Sequence, residues 1–213
     1  MLADARDVRL GSWLGGAMAS WVTDFGHLPG PSEEKVNAAG RRRAAFTREI
    51  VQAATSRPSE GGWRSAVRCI GGVRSRQRVC GARVIVEFVA SDEHVAWSCD
   101  TCGEDGMVTG IVGTDADVRA YWPQGKTATW GFDDEERQVL MKATEQLPWL
   151  RAILSRARPH AEIPDLLILN ATVPELDDVY TLVEELTDLT RSPRRHELLD
   201  GLRMSLCTSM DGF

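Results

Sequence analysis

Trp97–Gly106 reads WSCDTCGEDG. Two cysteines separated by two residues let both sulfurs and the backbone turn round one ion, and the following glycine can take the positive φ that such a knuckle needs. Upstream, Arg68–Val84 reads RCIGGVRSRQRVCGARV and supplies two more cysteines. Cys69, Cys80, Cys99 and Cys102 thus stand at C-x10-C-x18-C-x2-C. Ten residues make a long first interval, but Gly71-Gly72 permits a sharp reversal that returns Cys80 beside Cys69. Four thiolates make a closed, tetrahedral, structural zinc site, which stabilises a fold and leaves no position for substrate. Two disulfides, or four buried free thiols, are the competing readings.

Compartment bears on that choice. The one candidate export signal, Leu10–Ser20, has a short apolar core broken by glycines, and Asp4 and Asp7 cancel Arg6 and Arg9 ahead of it. No window approaches a membrane span. The expectation is a cytoplasmic protein with no membrane contact, where clustered cysteines favour metal over disulfides.

Working outward, Ala82–Ala90 (ARVIVEFVA) reads as a strand, HVAWSC as a second and GMVTGIVG as a third, a small antiparallel meander that runs into the cysteine cluster. On the N-terminal side, Leu10, Trp13, Leu14 and Met18 share helical spacing with Trp21 and Val22 following, and a second helix is expected from Pro31, burying Val36, Phe46, Ile50, Val51 and Ala54. On the C-terminal side, helices are expected from Asp133 and Pro148, with DLLILNATV as a short buried strand or link. Thr172 with Glu175 forms a capping box. It opens a helix whose partner restarts at Ser192-Pro193 and lines up Leu198, Leu199, Leu202, Leu206 and Met210.

The fold class expected is therefore α+β: N-terminal helices, a central zinc-ribbon-like antiparallel β meander, and C-terminal helices ending in an αα hairpin. Residues 1–58 form the helical N-terminal segment, 59–121 the zinc-ribbon-like module and 122–213 the helical C-terminal region. The hairpin is also a candidate homodimer surface.

Charge is uneven. Residues 64–84 hold six arginines and no acid, whereas residues 85–213 hold eleven basic residues against twenty-four acids. Arg64, Arg68, Arg74, Arg76, Arg78 and Arg83, with Trp63 and Trp97, have the ingredients of a nucleic-acid or partner contact: guanidinium for phosphate and indole for stacking. The bland account is that the arginines are solvated or relieve the charge of a thiolate cluster. Catalytic patterns are poor. Gln124-Gly125-Lys126-Thr127 lacks the first glycine of a phosphate loop, the four histidines are scattered, and Cys207 lies on the apolar side of the last helix. His94 is a reserve metal ligand.

The residues SRPSEGGWRSAVRC, the second cysteine at Cys80, and WSCDTCGEDGMVTGIVGTDAD resemble an uncharacterised bacterial family of zinc-ribbon-like proteins. The resemblance spans residues 53–117 and retains all four cysteine positions, although Val112 precedes Gly113 where those relatives prefer a tryptophan. It implies a zinc ribbon and brings no activity. The functional expectation is a non-enzymatic adaptor or regulator whose zinc module presents a surface to a macromolecular partner, an unidentified protein or nucleic acid, with direct nucleic-acid binding through the arginine-rich loop 64–83 as the alternative. A metal-dependent hydrolase would need an open metal site, which four cysteine ligands do not leave.

Overall fold

The computed structural model describes residues 20–28, 37–57, 61–73, 78–123 and 125–211. The chain runs through β1 (Ser20–Asp24), α1 (Ala38–Thr55), β2 (Trp63–Arg68), β3 (Gly72–Val73), β4 (Arg78–Val79), β5 (Arg83–Val89), β6 (His94–Ser98) and β7 (Asp105–Thr109). It continues through β8 (Ala128–Phe132), α2 (Asp134–Ala143), α3 (Pro148–Ser155), β9 (Arg158–Pro159), β10 (Leu167–Ala171), α4 (Val173–Leu189) and α5 (Pro193–Asp211). The class is α+β, with a central antiparallel meander and C-terminal helices.

Five strands form the first sheet in the order β1-β7-β6-β5-β2. The expected meander is its centre, since β5 pairs antiparallel with β6 and β6 with β7. Alternation along β6 turns Val95 and Trp97 inward, where α1 lays Phe46, Ile50, Val51 and Ala54 over Val84, Val86 and Val108. The start expected at Pro31, and Val36, lie outside the described residues. The observed helix starts where Asn37 accepts the Gly40 N–H on its side chain, a local N-cap.

One expectation is overturned. Trp21 and Val22 do not continue a helix; they lie in β1, paired parallel with β7. Aromatic and β-branched residues in series suit an extended edge, and Val22 is 72% exposed there. Leu10, Trp13, Leu14 and Met18, which set the helical period, lie outside the described residues. Gly106 makes the pairing feasible. It stands opposite Trp21, and a Cβ on it would lie 2.6 Å from the Trp21 carbonyl oxygen and 2.7 Å from Trp97 Nε1.

A second core lies C-terminal to the first. Its three-stranded sheet, β8-β10-β9, is antiparallel throughout. β10 was anticipated and β8 was not, although Ala128, Trp130 and Phe132 alternate with Thr129 and Gly131 as in a half-buried strand. Those residues, Ala128, Trp130 and Phe132, all point into the core, with the two rings 4.4 Å apart. The helix starts behave as the local sequence dictates. Asp133 and Glu136 form a capping box on α2, as Thr172 and Glu175 do on α4. The α4–α5 hairpin spends its apolar stripe on this core, where Leu176, Val179, Leu199, Leu202 and Leu206 are fully buried. Full burial of each such side chain is worth about 1.5–3 kcal/mol.

The two cores meet along β2 and β9. Polar side chains tie them together: Arg137 reaches Glu49 at 3.1 Å, and Arg151 donates to Gln52 at 2.8 Å. No helix among the described residues is long and apolar enough to cross a membrane.

Candidate metal centre

β2 delivers Cys69 from its C-terminal end and β6 delivers Cys99 from its own, so two neighbours of β5 bring one thiol each to the same end of the sheet. The hairpin of β3 and β4 supplies the long return that the ten-residue interval required. Gly72 pairs with Val79, and Val73 with Arg78. The Cys80 amide then donates to Gly71 O at 2.7 Å, the Gly81 amide to Cys69 O at 3.0 Å, and the Cys69 amide to Ala82 O at 2.7 Å. The second half is closed in the same style. Gly103 donates to Cys99 O at 2.9 Å, and the Cys99 amide to Glu104 O at 2.8 Å. Gly81 and Gly103 have φ of 67° and 73°, each directly after a cysteine. A side chain there would strain both turns.

The four thiols gather as a result. Their sulfurs all lie within 4.8 Å of one another, with Cys69 to Cys102 at 3.6 Å and Cys80 to Cys99 at 3.7 Å. Cys69 and Cys99 are buried, Cys80 and Cys102 half-buried. These four cysteines could hold a metal ion. Neither close pair is a disulfide, since a sulfur–sulfur bond is about 2.05 Å. All four are free thiols.

Backbone donors already act on the sulfurs. The Gly71 N–H points at Cys69 Sγ at 3.3 Å. Burial pushes the Cys69 thiol far above its usual range, and that N–H only partly offsets it. Burial likewise pushes Cys102 up to about 11. Cys99 goes the other way: burial also opposes its charge, but the N–H groups of Cys102 and Thr101 outweigh it and hold the thiol below its ordinary value. Bringing a cation to this cluster therefore requires protons to leave, and the N–H groups are in place to stabilise the resulting thiolates.

The arginine island is dispersed. Arg64 pairs with Asp100 at 2.7 Å, beside the knuckle. Arg68 donates to Gly81 O at 3.0 Å and pairs with Asp134. Arg83 is only 7% exposed, and it donates to Ala66 O and Asp134, each at 2.8 Å. Arg78 opens β4. Its side chain, and Arg74 and Arg76 altogether, lie outside the described residues. The two tryptophans expected on a contact surface are in the core instead. Trp63 is 8% exposed beneath Arg57, with the guanidinium carbon 4.3 Å from the ring centroid. Trp97 is 9% exposed and meets Phe46 edge-on at 5.2 Å. Both indoles flank Val86 in the sheet register, on the face that α1 covers, so burial removes them from any stacking surface.

Asp134 is the residue that sequence reasoning missed. Its place in the first turn of α2 signalled only a dipole partner, and nothing local indicated that two arginines more than fifty positions upstream converge on its carboxylate. His94 pairs with Val89 at the far end of β6 and is not in the cysteine cluster. Cys207 sits half-buried on α5, also outside it.

No family model, curated protein or solved structure matches the chain. What stands independently of any relative is the cluster of four cysteines, which could hold a metal ion.

Proposed function

We propose that the chain is a non-enzymatic adaptor or regulator in which Cys69, Cys80, Cys99 and Cys102 hold a structural zinc ion, and whose metal-held module presents a surface to a protein partner. The sulfur spacing is the observation that carries the zinc reading. A tetrahedron with zinc–sulfur bonds of about 2.3 Å has edges of about 3.8 Å, and the Cys69–Cys102 and Cys80–Cys99 sulfurs stand 3.6 and 3.7 Å apart, with all four within 4.8 Å of one another. An all-thiolate donor set suits zinc and fills its coordination without an open position. Metal analysis of the purified protein tests it: one zinc per chain is expected, lost in Cys99→Ser. Zinc retained unchanged in that variant would overturn the ligand set.

The partner is argued from what the surface retains. Arg64, Arg68 and Arg83 are engaged within the chain, and Trp21 and Val22 of β1, with Val79 and Val112 of the metal module, are exposed. That balance favours a protein over a polyanion. Binding to nucleic acid would fall to Arg74, Arg76 and Arg78, and retention on heparin or DNA across a salt series separates the two readings. A steep salt slope supports nucleic acid. A flat response, with one protein captured by wild type and not by Cys99→Ser, supports the adaptor.

A further inference from the structure

Away from the cysteines, the second sheet carries a cavity of about 370 Å³ lined by Thr129, Arg158, Pro159, His160, Ala161 and Ile168. No acidic side chain lines it. The volume lies at the low end of the range for small-ligand pockets. The β9–β10 register sets Arg158 opposite Ile168.

Two side chains of this cavity, Arg158 and His160, can donate. His160 Nδ1 accepts the backbone N–H of Glu162 at 3.1 Å and of Ile163 at 3.2 Å. A ring nitrogen that accepts carries no proton, so the neutral imidazole keeps its N–H at Nε2. Thr129 gives its hydroxyl proton to Asn170 Oδ1 at 3.1 Å, which leaves Arg158 and His160 as the donors offered. Pro159, Ala161 and Ile168 supply apolar wall.

Arg158 is exposed, unlike the buried arginines of the chain. The buried arginines have carboxylates: Arg83 has Asp134, Arg137 has Glu49, and Arg156 has Glu175. Arg158 has no ion-pair or side-chain hydrogen-bond partner among the described residues. The charge it acts on is another cation. Burial first, and then Arg158, lower the pKa of Arg57, and no carboxylate offsets them. Arg57 is itself held on Trp63, with a buried Nε that has no acceptor. Arg158 thus adds positive potential at Arg57 where β2 meets β9, and no carboxylate pairs with either among the described residues. An anion in the cavity would be favoured by that potential.

We infer that this cavity binds a small organic oxyanion, its charged end on Arg158 and His160 Nε2 and its carbon part against Pro159, Ala161 and Ile168. Phosphate monoesters and carboxylates share the chemistry, and the cavity is sized for a metabolite. The site is independent of the metal centre.

The intact chain is titrated at constant pH and ionic strength with phenyl phosphate, benzoate and, as the neutral control, benzyl alcohol. The reporter is the His160 ring resonance, assigned by its loss in His160→Gln. A saturable shift is expected with at least one anion and none with the alcohol, and the anion that saturates first distinguishes phosphate from carboxylate. Arg158→Gln weakens binding about tenfold or more, and Arg158→Lys restores part of it. No saturable shift with either anion, an equal shift with benzyl alcohol, or undiminished binding by folded Arg158→Gln overturns the site. If Arg158→Gln perturbs the far-UV spectrum, the wild-type titration with its neutral control decides alone.

Discussion

The Arg83 guanidinium meets the Asp134 carboxylate at 2.8 Å, and the two residues come from different cores. Arg83 opens β5 of the metal-side sheet, while Asp134 is the first residue of α2. The same carboxylate oxygen takes Arg68, whose other nitrogen donates to the carbonyl of Gly81 in the cysteine turn. One acid therefore links the cysteine hairpin, the first sheet and the second core.

Asp134→Asn tests that link. Removing the carboxylate leaves Arg83 buried with an uncompensated charge, and a loss of about 2–3 kcal/mol is expected. Arg68 is half exposed, so Arg68→Gln costs no more than about 1 kcal/mol. Urea denaturation of the two variants checks the ranking, and equal losses would contradict it.

Stripping metal with a chelator is expected to act locally first. Amide exchange should rise at Cys69, Cys80, Gly81 and Gly103, whose N–H groups donate within the cysteine turns. The amides of β8 and β10, hydrogen-bonded inside the second core, should keep their protection longer. Zinc supplies roughly 10–16 kcal/mol of apparent folding free energy in small modules, so a large fall in melting temperature should accompany the change.

Gly106→Ala forces a Cβ against the Trp21 carbonyl and the Trp97 indole. Both belong to packed structure, so β1 must shift. A loss of about 1–3 kcal/mol is expected, with quicker amide exchange in β1. Gly201 is the control: a methyl group there would meet nothing within 4 Å on the exposed side of α5, and Gly201→Ala should stabilise the helix by about 0.5–1 kcal/mol.

Asp117 carries a pH dependence. Burial raises its pKa, but hydrogen bonds from Arg119, at 2.8 and 2.6 Å, outweigh that and hold it below the ordinary carboxylate value. A depressed pKa stabilises the fold above the unfolded value of about 3.9 and loses that contribution as pH falls through the folded one. Asp117→Asn should therefore be less stable than wild type by about 1 kcal/mol at pH 7, with the gap closing below about pH 4. Both proteins carry the same thiols, so loss of metal in acid cancels in the comparison.

Several of these features were legible along the chain. The C-x2-C-G run dictated its own turn, and the Thr172–Glu175 capping box acts over three residues. The meander was readable because β-branched and aromatic residues crowd β5 and β6. Trp21 and Val22 were misread because the helical period was carried in from residues ahead of them, whereas their conformation depends on β7, more than eighty positions away.

By itself, the sequence determined the local geometry: which cysteines can share a turn, where helices start, and which stripe of α5 is apolar. Only the tertiary structure decided which partners those elements meet. A count of six arginines and no acids describes residues 64–84 in isolation, yet Asp100 and Asp134 approach from outside that segment and engage Arg64, Arg68 and Arg83. Likewise Trp63 and Trp97 could serve a surface or a core equally well until α1 covered their face of the sheet. Spacing sets what neighbours along the chain can do together, whereas charge pairing and burial act through space and depend on what the fold brings alongside.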